Sequence, residues 1–338
     1  MKRAILLGLA LACASAPATA QSPQIGGWSE AVVSVRDLEV SSRLFVAVGG
    51  WRTTAKGRVA RAELDYWRLP VAATGRFQRL CAPASDVGCI RLVRFSGVSQ
   101  RPIRLAARPW DTGGIFSLMI RTDNAQAVFD RAVTMGWWAE TEPYRFAFGG
   151  SALTNVVLSG PDGFNIALYE RATPPFTDYA LGPMARAFNS MRMVRDQRAS
   201  VAFYRDVLGF SSAFDTDYID PAPGPTNFSI PHNLADKIPR RAAAMHPVAL
   251  GWGRVEVMQF VGLTGKDVSA HAVAPNLGIL SVRYPVTNLA AYRAQIIARG
   301  APLAHAGARV AIGGLGRVDL FAVRDPDGNL TEFYEGAP

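Results

Sequence analysis

Short runs of alternating apolar and polar residues predict β-strands, and the run near the C-terminal end of the chain contains a carboxylate. Residues 330–334 (LTEFY) follow an Asp-Pro-Asp-Gly segment, residues 325–328, whose composition is typical of a tight turn. Because alternate side chains of a strand share a face, Glu332 lies on the same face as Leu330 and Tyr334. This carboxylate is therefore a candidate metal ligand or polar cavity residue.

A longer pattern combines a strand with a helix and recurs four times. Residues 191–210 (MRMVRDQRASVAFYRDVLGF) predict a strand, a helix that begins after Asp196, and a stop at Gly209. Related segments begin at Glu30, Ser117 and Ser281, and each continues into strand-like segments: CIRLVRF, FNIALYE, RVEVMQF and NLTEFYE. The chain is therefore predicted to consist of four βαβββ units.

The first twenty residues have the pattern of a bacterial-type secretory signal. Lys2 and Arg3 precede the apolar run AILLGLALACA, which is short for a membrane span, and small residues (ATA) precede Gln21. We predict that residues 1–20 are a signal peptide, cleaved before Gln21, and that the protein is periplasmic or secreted. A retained anchor, or a lipoprotein attached at Cys13, is the less favoured alternative, and no later segment is apolar enough to cross a membrane.

Composition fits a globular protein, since 49% of the 338 residues are hydrophobic and 19% are charged. The formal net charge is +9, and removal of Lys2 and Arg3 leaves 34 basic against 27 acidic residues, or +7. The basic residues are scattered along the sequence, which favours a solvated surface over a nucleic-acid site. Cys81 and Cys89 flank a short segment, and we predict a structural disulfide between them, although spacing alone does not establish the geometry.

Two of the quoted segments resemble the signatures of a known superfamily. VRDQRASVAFYRDVLGF and VRDPDGNLTEFYE are similar to the first and last signatures of the vicinal oxygen chelate superfamily, which includes glyoxalase I, bleomycin-resistance proteins and extradiol dioxygenases. The resemblance covers roughly residues 28–335. It implies an α+β fold in which two βαβββ units form one curled mixed sheet around a cavity, with the helices outside. Two domains are expected, residues 28–172 and 183–336, joined near the PPF segment at residues 174–176.

The resemblance also implies where ligands of a metal would lie, at the start of each opening strand and in each last strand. In the C-terminal domain these positions hold Asn189, Ser281, Glu256 and Glu332. In the N-terminal domain they hold Glu30, Ser117, Arg91 and Ala167. A metal site is therefore degenerate in the N-terminal domain, where we predict that Glu30 and Arg91 approach each other.

The C-terminal set contains oxygen donors but no histidine, so tightly bound zinc or iron is not expected. Glu256 and Glu332 are compatible with a weakly bound hard cation such as Mg²⁺, Mn²⁺ or Ca²⁺. The alternative is that both carboxylates are polar cavity residues paired with arginines, without a metal.

Other side chains on the same predicted strand faces are candidates for ligand binding. Arg254 and Arg283 are placed to hold an anionic group, and Met191, Met193 and Met258 supply an adaptable apolar wall. Glu332 is a candidate metal ligand or general base with Glu256 as its partner, and Tyr334 is a candidate to orient a ligand. These residues leave two functions open: binding of a small, anionic, partly apolar molecule, or a metal-dependent lyase, isomerase or ring-cleaving dioxygenase at the same site.

Overall fold

A computed structural model of the chain describes residues 22–176 and 181–336. The predicted signal peptide and part of the segment that follows the predicted linker lie outside the described residues. Four units with the predicted order of elements follow one another in the chain, which confirms the repeat.

The first unit contains seven elements. They are strand β1 (Gln24–Ile25), strand β2 (Glu30–Ser34), helix α1 (Leu38–Ala47), strand β3 (Arg52–Arg58), helix α2 (Arg61–Tyr66), strand β4 (Thr74–Cys81) and strand β5 (Cys89–Ser96). The second unit contains strand β6 (Ser117–Arg121), helix α3 (Ala125–Thr134), strand β7 (Tyr144–Phe148), strand β8 (Ser151–Ser159) and strand β9 (Asn165–Thr173).

The third unit includes a helix that changes from α-helical to π-helical winding along its length. Its elements are strand β10 (Ala187–Met193), helix α4 (Gln197–Ala202) with a π-helical continuation (Phe203–Val207), strand β11 (Ser211–Tyr218), strand β12 (Arg240–His246) and strand β13 (Arg254–Phe260). Short 3₁₀ helices lie at His232–Lys237 and Ser269–His271. The fourth unit contains strand β14 (Gly278–Thr287), helix α5 (Leu289–Ala298), strand β15 (Leu303–Ile312), strand β16 (Gly316–Arg324) and strand β17 (Leu330–Gly336).

The helix after each opening strand begins at an aspartate or asparagine. The side chain of this residue accepts a hydrogen bond from backbone N–H groups of the first helical turn, which otherwise lack partners; the four residues are Asp37, Asn124, Asp196 and Asn288. This local chemistry explains why each helix starts where the repeat predicts.

The strands form two curled mixed sheets, as the α+β prediction required, but the units pair differently from the prediction. The first sheet has the order β15-β16-β17-β14-β2-β5-β4-β3, and the second has the order β11-β12-β13-β10-β6-β9-β8-β7. Unit one therefore pairs with unit four, and unit two with unit three. The predicted domains at residues 28–172 and 183–336 are wrong, because the opening strands β2 and β14 pair with each other, as do β6 and β10.

Two equivalent contacts join the two sheets, each between the end of an opening strand in one sheet and a turn in the other. Backbone N–H of Arg36, after β2, donates to Asp162 Oδ2 at 2.8 Å, and backbone N–H of Arg195, after β10, donates to Asp327 Oδ1 at 3.1 Å. In each case the Val-Arg-Asp segment of one unit docks on the Pro-Asp-Gly turn of a unit in the other sheet. The turn that precedes β17 therefore has a structural role between the sheets.

A disulfide joins Cys81 at the end of β4 to Cys89 at the start of β5, with a Cα–Cα distance of 4.4 Å. This confirms the predicted bond. Among the described residues, no helix has both the length and the apolar character needed to cross a bilayer.

Candidate functional site

The concave face of the first sheet, which we call the first cavity, is filled from within the chain. Helix α2 lies between β3 and β4 in sequence and packs against β15. It brings Glu63 and Tyr66 into the cavity, and Trp67 follows directly after it. Trp67 Nε1 donates to Glu332 Oε1 at 3.2 Å. The insertion therefore occupies the space in which a ligand of this cavity would lie.

Glu332 is held by buried partners on its own sheet. Arg283 Nε donates to Glu332 Oε2 at 2.6 Å, and Ser281 Oγ donates to the same oxygen at 3.1 Å. The other two nitrogens of Arg283 reach Glu30 Oε1 and Glu63 Oε1, both at 2.9 Å. One guanidinium thus binds three carboxylates, and none of these four side chains is exposed to solvent.

Two more arginines balance the charge of the first cavity. Arg79 Nε donates to Glu30 Oε2 at 2.8 Å, and one terminal nitrogen of Arg91 donates to Glu63 Oε2 at 3.0 Å. Three guanidiniums therefore neutralise three carboxylates, as buried charges require. Burial by itself lowers the pKa of Arg283, but the carboxylate of Glu332 and its two neighbours outweigh burial and raise that pKa. The ion pairs of the network are thus made within the cavity.

Glu30 and Arg91, which were predicted to approach each other, belong to the same buried network, where burial lowers the pKa of Arg91 and the charges of Glu63 and Glu30 raise it. The ion pairs of each are made with other members of that network. Tyr334 also belongs to the first cavity, where its hydroxyl donates to Ser29 Oγ at 3.0 Å. The predicted grouping of Glu332 with Glu256 is wrong as well, because the two carboxylates lie on different sheets. Ser281, Arg283 and Tyr334 are separated from the remaining candidates for the same reason.

The concave face of the second sheet, which we call the second cavity, is open. Its volume is about 330 Å³. Aromatic side chains from strands β7, β9, β10 and β11 and from two connecting segments line it: Tyr144, Phe146, Phe148, Tyr169, Phe176, Phe188, Phe214, Tyr218 and Phe228. The edge strands β7 and β11 approach each other across the opening, where the rings of Phe148 and Phe214 lie 5.6 Å apart. The cavity therefore has the apolar walls and limited volume of a small-molecule site.

Glu256 is the carboxylate in the floor of the second cavity, and Asn189 holds it in place. Asn189 Nδ2 donates to Glu256 Oε2 at 2.7 Å, while Asn189 Oδ1 accepts from the backbone N–H of Ser190 at 2.8 Å. Glu256 is 7% exposed. Burial raises its pKa to about 7, although the Asn189 hydrogen bond and the charge of Arg254 act in the opposite direction. Glu256 is thus able to exchange a proton near neutral pH.

Positive charge lies beside this carboxylate. Arg254 stands two residues before Glu256 on β13, and Arg121 at the end of β6 lines the same cavity. Arg254 Nε is buried and has no hydrogen-bond partner among the described residues. Burial lowers the pKa of Arg254, the charge of Arg121 lowers it further, and Glu256 raises it. A guanidinium that is partly desolvated and incompletely hydrogen-bonded favours an anionic ligand.

The predicted methionines belong to the second cavity. Strand register places Met191 beside Glu256 and Met193 beside Met258 on neighbouring strands, and all three methionines pack in one buried cluster. Met258 lines the open volume. The structure therefore brings together Asn189, Glu256, Arg254, Met191, Met193 and Met258, as predicted, but without the fourth unit.

The superfamily positions of the second cavity do not fit a metal. They hold Ser117, Ala167, Asn189 and Glu256, so only one of the four is a carboxylate and Ala167 offers no donor. The described residues contain no group of three His, Cys, Asp or Glu side chains placed to hold a metal ion. In the first cavity, arginines bind the carboxylates. A cation shared by Glu256 and Glu332 is therefore not possible in this arrangement.

Several residues of the second cavity were not predicted. Arg121 and Met119 follow Ser117 at alternate positions of β6 and so share its face. This signal is present in the sequence, within the predicted N-terminal domain whose metal site is degenerate. Asn155 and Asn227 form a hydrogen bond of 3.0 Å at the cavity wall, and their contact depends on a loop whose course the sequence does not reveal.

The fold and the cavities together define a protein of four βαβββ units, in which an ion network closes the first cavity and the second cavity is open. Residues 188–333 match the Glyoxalase/Bleomycin resistance protein/Dioxygenase superfamily. Through these residues, which are less than half of the chain, the protein is similar in sequence to this superfamily. The matched residues comprise units three and four, which contribute half of each sheet.

Solved structures share the fold over nearly the whole chain. Glyoxalase I from Zea mays is 16% identical, with a TM-score of 0.59, and the match covers 93% of this chain and 92% of that one. A mutant of the same enzyme gives a TM-score of 0.61 at 15% identity, with the same coverage. A putative dioxygenase from Bacillus subtilis is 10% identical, with a TM-score of 0.58, and covers 93% of this chain and 86% of its own. No curated protein sequence is significantly similar to the chain.

Proposed function

We propose that the protein binds a small organic anion with an aromatic or other planar apolar body in the second cavity. The superfamily fold supports a small-molecule-binding or enzymatic function. The observation that carries the proposal is the alternation of Arg254 and Glu256 on one strand facing an aromatic cavity of about 330 Å³. Arg254 supplies charge and unused hydrogen-bonding capacity, and the aromatic walls supply apolar contact.

Calorimetric titration tests this proposal with matched probes. We expect benzoate and 2-naphthoate to bind more tightly than the neutral benzamide and 2-naphthamide. Arg254→Gln is expected to weaken carboxylate binding about 10- to 100-fold, the usual worth of a charge-assisted hydrogen bond. Binding of the amides should stay unchanged. Arg131→Gln, on an exposed position of α3, is the control for the loss of one charge. Equal binding of acids and amides by the wild-type protein would refute the proposal.

A second candidate function is a lyase or isomerase that works without a metal, and Glu256 is the observation that favours it. Its carboxyl group lines the cavity, is held in one orientation by Asn189 and has a pKa of about 7. A group with such a pKa is suited to remove and return a proton at neutral pH. A ring-cleaving dioxygenase is not supported, because the donor set does not fit the iron that this reaction requires.

Hydrogen–deuterium exchange at carbon tests the second candidate. Phenylpyruvate in D₂O is expected to exchange its C3 protons faster with the wild-type protein than with Glu256→Gln, as followed by proton NMR. The Glu39→Gln variant is the matched control, since its carboxylate is exposed in the first turn of α1, away from the cavity. Equal exchange rates for wild type and Glu256→Gln would leave binding as the proposed function.

We also propose that the protein acts after export. The charged and apolar pattern of residues 1–20 supports this location, and so does the Cys81–Cys89 disulfide, because such bonds persist in oxidising compartments.

A further inference from the structure

Three arginines form a row across the outer face of the first sheet. Strand register places Arg58 on β3 opposite Arg76 on β4, and Arg76 opposite Arg94 on β5. All three are exposed. Successive members of the row are 18 residues apart in sequence, so strand register, and not sequence proximity, aligns them.

This row has no acidic partner among the described residues. Among the described residues, the guanidiniums of Arg58, Arg76 and Arg94 form no hydrogen bond or ion pair. Other arginines on the surface, such as Arg309, pair with an aspartate. Like charges directly opposite each other on neighbouring strands destabilise a sheet. Three of them in a row, without compensation, indicate a surface that meets negative charge from outside the molecule.

The surroundings of the row form a shallow groove of about 410 Å³. Thr74 and Ser96 add hydroxyl groups to its lining, and Val71 lies at its margin with 90% of its surface exposed. Arg61 also lines the groove but is paired with Asp65 at 2.8 Å. No carboxylate is among the described residues that line this groove.

We propose that this face binds the phosphate groups of an anionic membrane surface. Neighbouring strands are about 4.8 Å apart, so the row extends over roughly 10 Å. That length exceeds one phosphate group and matches adjacent lipid headgroups, while the exposed Val71 provides an apolar contact with the interface. The excess of basic over acidic residues in the chain favours the same partner.

Vesicle sedimentation tests the proposal with the purified protein. We expect binding to phosphatidylcholine vesicles that contain about 30% phosphatidylglycerol, and none to phosphatidylcholine alone, because anionic lipid supplies the attraction. The combined change Arg58→Gln, Arg76→Gln and Arg94→Gln is expected to weaken binding on the order of 100-fold. High salt should weaken binding of the wild-type protein in the same direction.

A matched variant separates the row from net charge. Arg131→Gln, Arg198→Gln and Arg317→Gln together remove the same charge from exposed positions elsewhere, and should weaken binding far less. The row variant should melt at the same or a higher temperature than wild type, since it removes repulsion. If it fails to fold, Arg76→Gln alone is expected to weaken binding about fivefold.

Equal losses in the row variant and the matched variant would overturn the proposal, as would failure of the wild-type protein to bind anionic vesicles. A titration with inorganic phosphate and polyphosphate completes the design. Phosphate binding that depends on the row without vesicle binding would overturn the membrane as partner and assign the row to a soluble phosphate compound.

Discussion

Replacing Glu256 by glutamine should stabilise the protein in a manner that depends on pH. The amide side chain keeps the shape of the original and an oxygen that accepts the hydrogen bond from Asn189. The replacement removes only the ability to ionise. In the folded protein burial raises the pKa of Glu256 to about 7, against 4.5 for an ordinary glutamate. The folded state therefore prefers the protonated acid.

The sign and size of the effect follow from this difference. As pH rises from 4.5 to about 7, the carboxyl group ionises in the unfolded chain before it ionises in the folded protein, so folding stability falls. Above pH 7 the cost is complete, and at about 1.36 kcal/mol per pKa unit it amounts to about 3 kcal/mol. The Glu256→Gln variant does not ionise, so it does not lose this unfolding free energy.

Denaturant titration of wild type and Glu256→Gln at several pH values measures the effect. We expect the variant to gain about 3 kcal/mol of unfolding free energy relative to wild type between about pH 4.5 and pH 8. Other titrating groups, including Asp327, whose pKa burial raises to about 6, are common to both proteins and cancel in the comparison. A difference that does not change with pH, or that falls as pH rises, would refute the reasoning.

Three further predictions concern other parts of the chain. Glu332→Ala leaves Arg283 buried without its nearest carboxylate, so we expect a loss of about 3–5 kcal/mol of unfolding free energy. Benzoate binding should be retained, and a variant as stable as wild type would contradict the network. Joint replacement of Cys81 and Cys89 by serine should cost about 2–3 kcal/mol, since a short loop loses its constraint, and two reactive thiols in the unreduced, denatured wild type would rule out the bond. The exported protein should have the intact mass of a chain that begins at Gln21, and a mass that includes Met1 would contradict cleavage.

Local chemistry explains the part of the fold that sequence predicts well. Asp196 followed by an apolar helical stripe, and Gly209 after it, act over a few residues and mark the same element in each repeat. The alternation around Glu256 likewise places Arg254 and Met258 on one strand face. These signals require no knowledge of distant parts of the chain.

Pairing of the units was not predictable in the same way. Both the predicted and the observed arrangements bury opening strands with similar apolar faces, and the observed pairing of β2 with β14 joins segments far apart in the sequence. The assignment of Glu332 to the wrong cavity followed directly from this choice. Helix α2 was not predicted because the described parts of the other three units have no α-helix at this place; only a short 3₁₀ helix, His232–Lys237, lies there in the third unit.

The pairing of the two ends of the chain sets an order for folding during synthesis or export. Glu30 and Arg283, which meet in the first sheet, are 253 residues apart in sequence. The second sheet uses only strands between Ser117 and Phe260, so it can close while the C-terminal unit is still emerging. The first sheet must wait for the last strand, and loop closure over such a distance is slow. A cut near residue 178 would divide both sheets, so the two fragments are expected to fold only by complementing each other.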